Sequence, residues 1–198
     1  MSRSRTAAQR RSGRQAGGRR TRRNTRTTIG IVVAGVVVVS LAGLLITRQI
    51  TSAVPGEQRI ATQGAGHITN VTDPHTPYNS SPPTSGIHIG GGTAPWGVTG
   101  QQLPDEQTVH NLEHGGVVIH YRQGLDQATV DQLNTLARDL QRQNPCILLQ
   151  PRAADKIDAP IAVTAWNYLL ELQRFDGDTL TKFFQAHVGR GPEAVCQQ

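Results

Sequence analysis

From Ile29 to Ile46 the chain runs eighteen residues, IGIVVAGVVVVSLAGLLI, without a charge. Such a run has no polar face to turn toward water, so a globular core is a poor home for it. As a helix it is about 27 Å long, enough for one bilayer crossing. Its flanks are asymmetric: residues 1–28 carry ten arginines and no acid, and only Arg48 follows closely behind. The positive-inside rule then predicts a cytoplasmic N-terminus, a transmembrane helix at 29–46, and residues 49–198 outside the cytoplasm. A cleaved signal peptide is the rival, with Thr51-Ser52-Ala53 as a small-residue cleavage site. An apolar run of this length is long for a signal peptide, which favours a retained signal-anchor. Arg22-Arg23 is a weak twin-arginine signal, because Asn24 and Thr25 stand where apolar residues should follow.

The net charge of +6 averages two unlike parts. Without the ten arginines of the tail, ten basic residues remain against fourteen acidic ones, a net of −4. The basicity therefore belongs to the tail, expected to be disordered over 1–28 and attracted to anionic lipid. The partner it predicts is the membrane, and no nucleic acid. Between Thr51 and Thr108 neither helical nor strand periodicity persists, and Gly, Pro, Ser, Thr and His dominate. That is too long for an ordinary connection. The expected division is a stalk over 47–63 and a loop-rich layer over 64–108, since Tyr78 and Trp96 are groups that usually bury.

The C-terminal half has clearer signals. Val117-Val118-Ile119-His120-Tyr121 reads as a buried strand. Val130, Leu133, Leu136, Ala137 and Leu140 recur at helical spacing behind Asp126, a capping residue, and predict a helix over 127–142. Cys146–Gln150 and Ile161–Trp166 are further strands, and Asn167–Leu172 continues as a strand or a short helix. Asp178, Leu180, Phe183 and Phe184 predict a last helix to about His187, with Pro104-Asp105-Glu106 opening a short helical turn earlier. The order points to an α+β domain over 64–198, a small sheet with two or more helices and a long loop-rich N-terminal layer.

The chemistry concentrates in Val109–Tyr121, VHNLEHGGVVIHY, with three histidines, one glutamate and a Gly-Gly pair. Neutral imidazole suits Zn, Cu, Ni and Fe, and three or four His and Glu ligands suffice for a site. The candidate ligands are His110, Glu113 and His114, joined by His88 and His67 from the loop layer, with zinc or copper as the candidate ion. His110-x-x-Glu113-His114 has the spacing of inverted zinc metalloproteases, but Gly115-Gly116 would stop the helix such a site needs. His120, six residues beyond His114, is a weaker candidate. A second reading makes these histidines hydrogen-bonding partners for loop backbone in a non-catalytic envelope interaction module, with another envelope protein as partner. A metal-dependent enzyme, with Glu113 as general base, is a third. No nucleophile elbow surrounds Ser85, and Gly90–Gly92 lacks phosphate-loop or dinucleotide spacing. Cys146 and Cys196 are too far apart for a redox C-x-x-C, and outside the cytoplasm they are expected to form one disulfide.

Several uncommon motifs occur in a fixed order: Tyr78-Asn79, Pro82–His88, Ala94-Pro95-Trp96-Gly97, Val109–Val118, Ala165-Trp166 and Arg190-Gly191-Pro192-Glu193. Over about 64–193 they resemble the DUF3105 family, which implies a membrane-anchored bacterial protein of unknown activity. Ile87 stands where the family pattern has proline. The resemblance supports the domain boundary and the grouping of His67, His88, His110, Glu113 and His114, and implies no reaction.

Overall fold

The computed structural model describes residues 54–196. The expected tail and transmembrane run therefore lie outside the described residues, among which no helix is long and apolar enough to cross a membrane. The described part is α+β, with a six-stranded mixed sheet and three helices.

The sheet is built around β5, Val117–Arg122, because both of its faces are apolar where they must be. Val117 and Ile119 face one core, and Val118 faces another. β5 pairs in parallel with β6 (Ile147–Arg152) and antiparallel with β7 (Ile161–Ala165). Two parallel neighbours need a crossover, and the helix α2, Gln127–Gln143, supplies it. Asp126 caps α2 by accepting from the Thr129 amide at 2.9 Å. Leu133, Ala137 and Leu140 then pack with Leu180, Phe183 and Phe184 of α3, Gly177–His187, over the face that carries Ile119, Leu149 and Val163. Truncating one of these large side chains would cost about 2–5 kcal/mol. β7 turns into β8, Tyr168–Leu172, across Trp166-Asn167, and Asn167 takes the positive φ (65°) that this reversal needs. The segment left open between strand and short helix is thus the second arm of a hairpin. The strand expected to close at Pro151 runs on to Arg152.

The edges of the sheet are two-residue strands from the irregular stretch. β1, Gln58–Arg59, pairs with β8, and β4, Gly97–Val98, pairs with β6. Val54 is buried and Ile60 packs near the sheet, so residues 54–60 lie against the domain. The second sheet face is covered by the loop layer and by a helix, α1, Asp105–Glu113. α1 begins where Pro104-Asp105-Glu106 predicts, but runs for nine residues instead of one turn. Its core contact is small, with Leu112 meeting Val118, Leu148 and Ala94. Its other buried residues include Thr108, His110, Asn111 and Glu113, so this helix is embedded largely through polar groups.

Candidate metal centre

α1 ends where the sequence can no longer support a helix. Gly115 adopts φ +86°, and the Gly115 and Gly116 amides donate to Leu112 and Asn111 carbonyls at 2.9 and 2.8 Å. This is a Schellman closure, with glycine at the left-handed position. A Cβ on Gly116 would collide with the Trp96 ring, so the second glycine is required by packing. The closure leaves His110, Glu113 and the capping residue His114 in one helical turn, with both histidine rings on one face. His110 Nε2 and His114 Nε2 are 3.0 Å apart.

The other two imidazoles arrive on a separate parallel ribbon, β2 (His67–Ile68) against β3 (His88–Ile89). The register pairs His67 with His88 directly, held by His88 N–H to Gly66 O at 2.9 Å and Gly90 N–H to Ile68 O at 3.0 Å. Both rings reach the same oxygen of Glu113, His88 Nε2 at 2.8 Å and His67 Nε2 at 3.2 Å from Oε2. His88 is wholly buried and Glu113 nearly so, whereas the His67 side chain is 46% exposed and marks the side open to solvent. Ring centroids of His88 and His110 lie 5.3 Å apart, so ribbon and helix bring all five expected residues into one cluster. His120 lies apart inside the sheet, bonded to Thr164 and Gln150, and His75 pairs with Glu106.

Proton positions in the cluster follow from the fixed acceptors. A carbonyl can only accept, so His88 Nδ1–H donates to Gly86 O at 2.8 Å and His110 Nδ1–H to Ile89 O at 2.6 Å. A neutral ring then presents Nε2 as a bare lone pair and a protonated ring presents a second N–H there; both Nε2 atoms point into the cluster. Burial pushes the His110 imidazole below its ordinary range, against the Ile89 hydrogen bond, and neighbouring His114 and His88 add to the depression. Burial works to raise the Glu113 carboxyl, yet hydrogen bonds from His88 and His67 carry it below its ordinary value. The cluster is therefore a carboxylate among four imidazoles, two of which, His88 and His110, have their other nitrogen tied to backbone.

A sixth group was not singled out as a ligand from the sequence. Glu193 Oε2 lies 3.0 Å from His114 Nε2. The tail that carries it returns to the end of α1, with Glu193 N–H to Glu113 O and Cys196 N–H to His114 O, both at 3.0 Å. Gly191 passes so close that a Cβ would overlap the Glu113 carbonyl. The expected disulfide joins Cys146, just ahead of β6, to Cys196 with Cα atoms 5.9 Å apart, and fixes this tail. The signal was available: a bridge from the start of β6 to Cys196 brings a carboxylate three residues upstream close to the start of β5 and the end of α1.

A family model described as a protein of unknown function (DUF3105) matches residues 70–198, which leaves His67 just ahead of the matched segment. No curated protein and no solved structure matches the chain.

Proposed function

Because this chain belongs to the DUF3105 family, whose description names no activity, we propose its function from its own side chains. It is a domain that binds a transition metal, zinc or copper, through His67, His88, His110, Glu113 and His114. The domain stands outside the cytoplasm on a single-pass anchor at 29–46, with the N-terminus inside, and serves metal binding or the assembly of an envelope metalloprotein. The uncharged run and its arginine flank support the anchor. The Cys146–Cys196 bridge supports an oxidising compartment.

The observation that carries the metal reading is that, with neutral rings, the cluster is short of protons. His88 spends its Nδ1–H on Gly86, yet its Nε2 sits 2.8 Å from a carboxylate oxygen. His114 Nε2 faces both His110 Nε2 and Glu193 Oε2 at 3.0 Å, two acceptors for one N–H. A cation among these atoms satisfies all of them. Backbone carbonyls on the distal nitrogens are the usual partners that orient metal-binding histidines. Imidazole and carboxylate together suit zinc or divalent copper.

The rival is an interaction module in which the same histidines are structural, favoured by the partner that each ring already has within the protein. Elemental analysis of tag-free residues 49–198 from an exporting host separates the two, alongside a His88→Ala/His114→Ala variant checked for folding. Near-stoichiometric metal in the parent, lost in the folded variant, is the expected result. A folded parent that stays metal-free after incubation with Zn(II) or Cu(II) overturns the reading and leaves the interaction module.

A further inference from the structure

Resting on that metal reading, we propose that the cluster holds two ions, bridged by the Glu113 carboxylate, with Glu193 of the tail completing the second position. The ligand atoms form two triples, His67, His88, Glu113 and His110, Glu113, His114, each within 4.8 Å, and Glu113 is the one residue common to both. The triples come from different elements. The β2–β3 ribbon supplies the first pair of imidazoles by cross-strand register, and the last turn of α1 supplies the second by helical spacing.

A carboxylate has two oxygens, and one of them is already engaged. His67 and His88 both converge on Oε2. Oε1 is then the donor for an ion at His110 and His114. Two-metal sites hold their ions about 3.5–4 Å apart, a separation that one bridging carboxylate spans. The second ion gains a fourth donor from Glu193, which stands against His114 and is held there by tail hydrogen bonds to the last carbonyls of α1. The first ion has three protein donors, and the half-exposed His67 lies beside the position left for water.

The test uses the full-length, tag-free chain in detergent, stripped with chelator and reloaded with Zn(II) or Cu(II). The variants are His67→Ala and Glu193→Gln, both at side chains about half exposed, so neither should disturb folding. Two ions per chain in the parent, falling to one in each variant, is the expected result. The doubly loaded Cu(II) parent should give a dipolar-broadened EPR spectrum, and each variant an isolated Cu(II) spectrum. One ion in the parent overturns the pair while leaving the metal reading intact. Two ions with the narrow spectrum of distant centres overturn the bridge. No metal at all overturns both.

Discussion

His120 shows what a satisfied histidine looks like in this fold. Gln150 Nε2–H donates to its Nδ1 at 3.2 Å, its Nε2–H donates to Thr164 Oγ1 at 3.3 Å, and the Thr164 hydroxyl passes to Val118 O. Gln150 Oε1 in turn accepts from the Leu103 amide at 2.8 Å. Every proton has one acceptor, provided that the ring is neutral. Burial holds the His120 pKa well below its ordinary value, and the Arg152 charge adds to the effect. The unfolded chain therefore takes up a proton below about pH 6.5 that the native ring refuses, so stability rises with pH across that window and is lost on acidification. One proton supplies a slope of at most about 1.4 kcal/mol per pH unit. Urea unfolding of metal-stripped residues 49–198 between pH 5 and 7.5 should show that acid limb, and His120→Gln should flatten it. Equal limbs in both proteins would sink the assignment. As neutral rings His88 and His114 lack this internal consistency, and that contrast was invisible in the sequence. Residue types and the family resemblance suggested which histidines gather, but only the folded structure shows which nitrogen is already spent on a carbonyl. Glu193 was missed as a ligand because its place depends on a disulfide closing a fifty-residue loop.

At the scale of elements, legibility followed apolar periodicity. α2 has a regular stripe, and its expected limits agree with the structure to a residue. The strands β5, β6 and β7 were readable as short apolar runs. α1 was not readable as a full helix, since four of its six buried residues are polar and only Val109 and Leu112 are apolar. The strands β1 to β4 are two residues long, too short to show any period. What holds α1 in place is instead an ion pair. Arg152, at the end of β6 and 1% exposed, pairs with the first residue of α1, Nη1 to Asp105 Oδ1 at 2.6 Å and Nη2 to Oδ2 at 3.0 Å. Its remaining donors go to Ser81 Oγ and Lys156 O, tying two loops to the same point. Removing one partner strands a buried charge, whereas removing both does not. Asp105→Ala should lose about 3 kcal/mol, and Asp105→Ala/Arg152→Met clearly less than the sum of the two single changes. Chemical denaturation across the four proteins measures the coupling. An Asp105→Ala loss below about 1 kcal/mol, the range of an exposed pair, would mean that the clamp does not position the helix.

At the scale of the whole molecule, the site is assembled from three distant parts of the chain: the ribbon of residues 67–89, the end of α1, and the returning tail. Ribbon and helix are held by the sheet and by Arg152, while the tail is held by three backbone hydrogen bonds, Asn144 Nδ2–H to Cys196 O at 3.1 Å, and one covalent link. Closing a loop of 50 residues restricts the unfolded chain by about 4 kcal/mol in the chain-entropy model. Cys146→Ala/Cys196→Ala should therefore lower Tm by roughly 10 °C. The same change loosens the tail that holds Glu193 against His114 and leaves His67 and His88 in place, so the variant should keep the first ion and lose the second, as Glu193→Gln does. Melting curves of the metal-stripped proteins read the first effect and metal content after reloading reads the second. A variant that melts with the parent and keeps the parent's metal content would show that the tail adds neither stability nor a ligand, and that the bridge serves some other end.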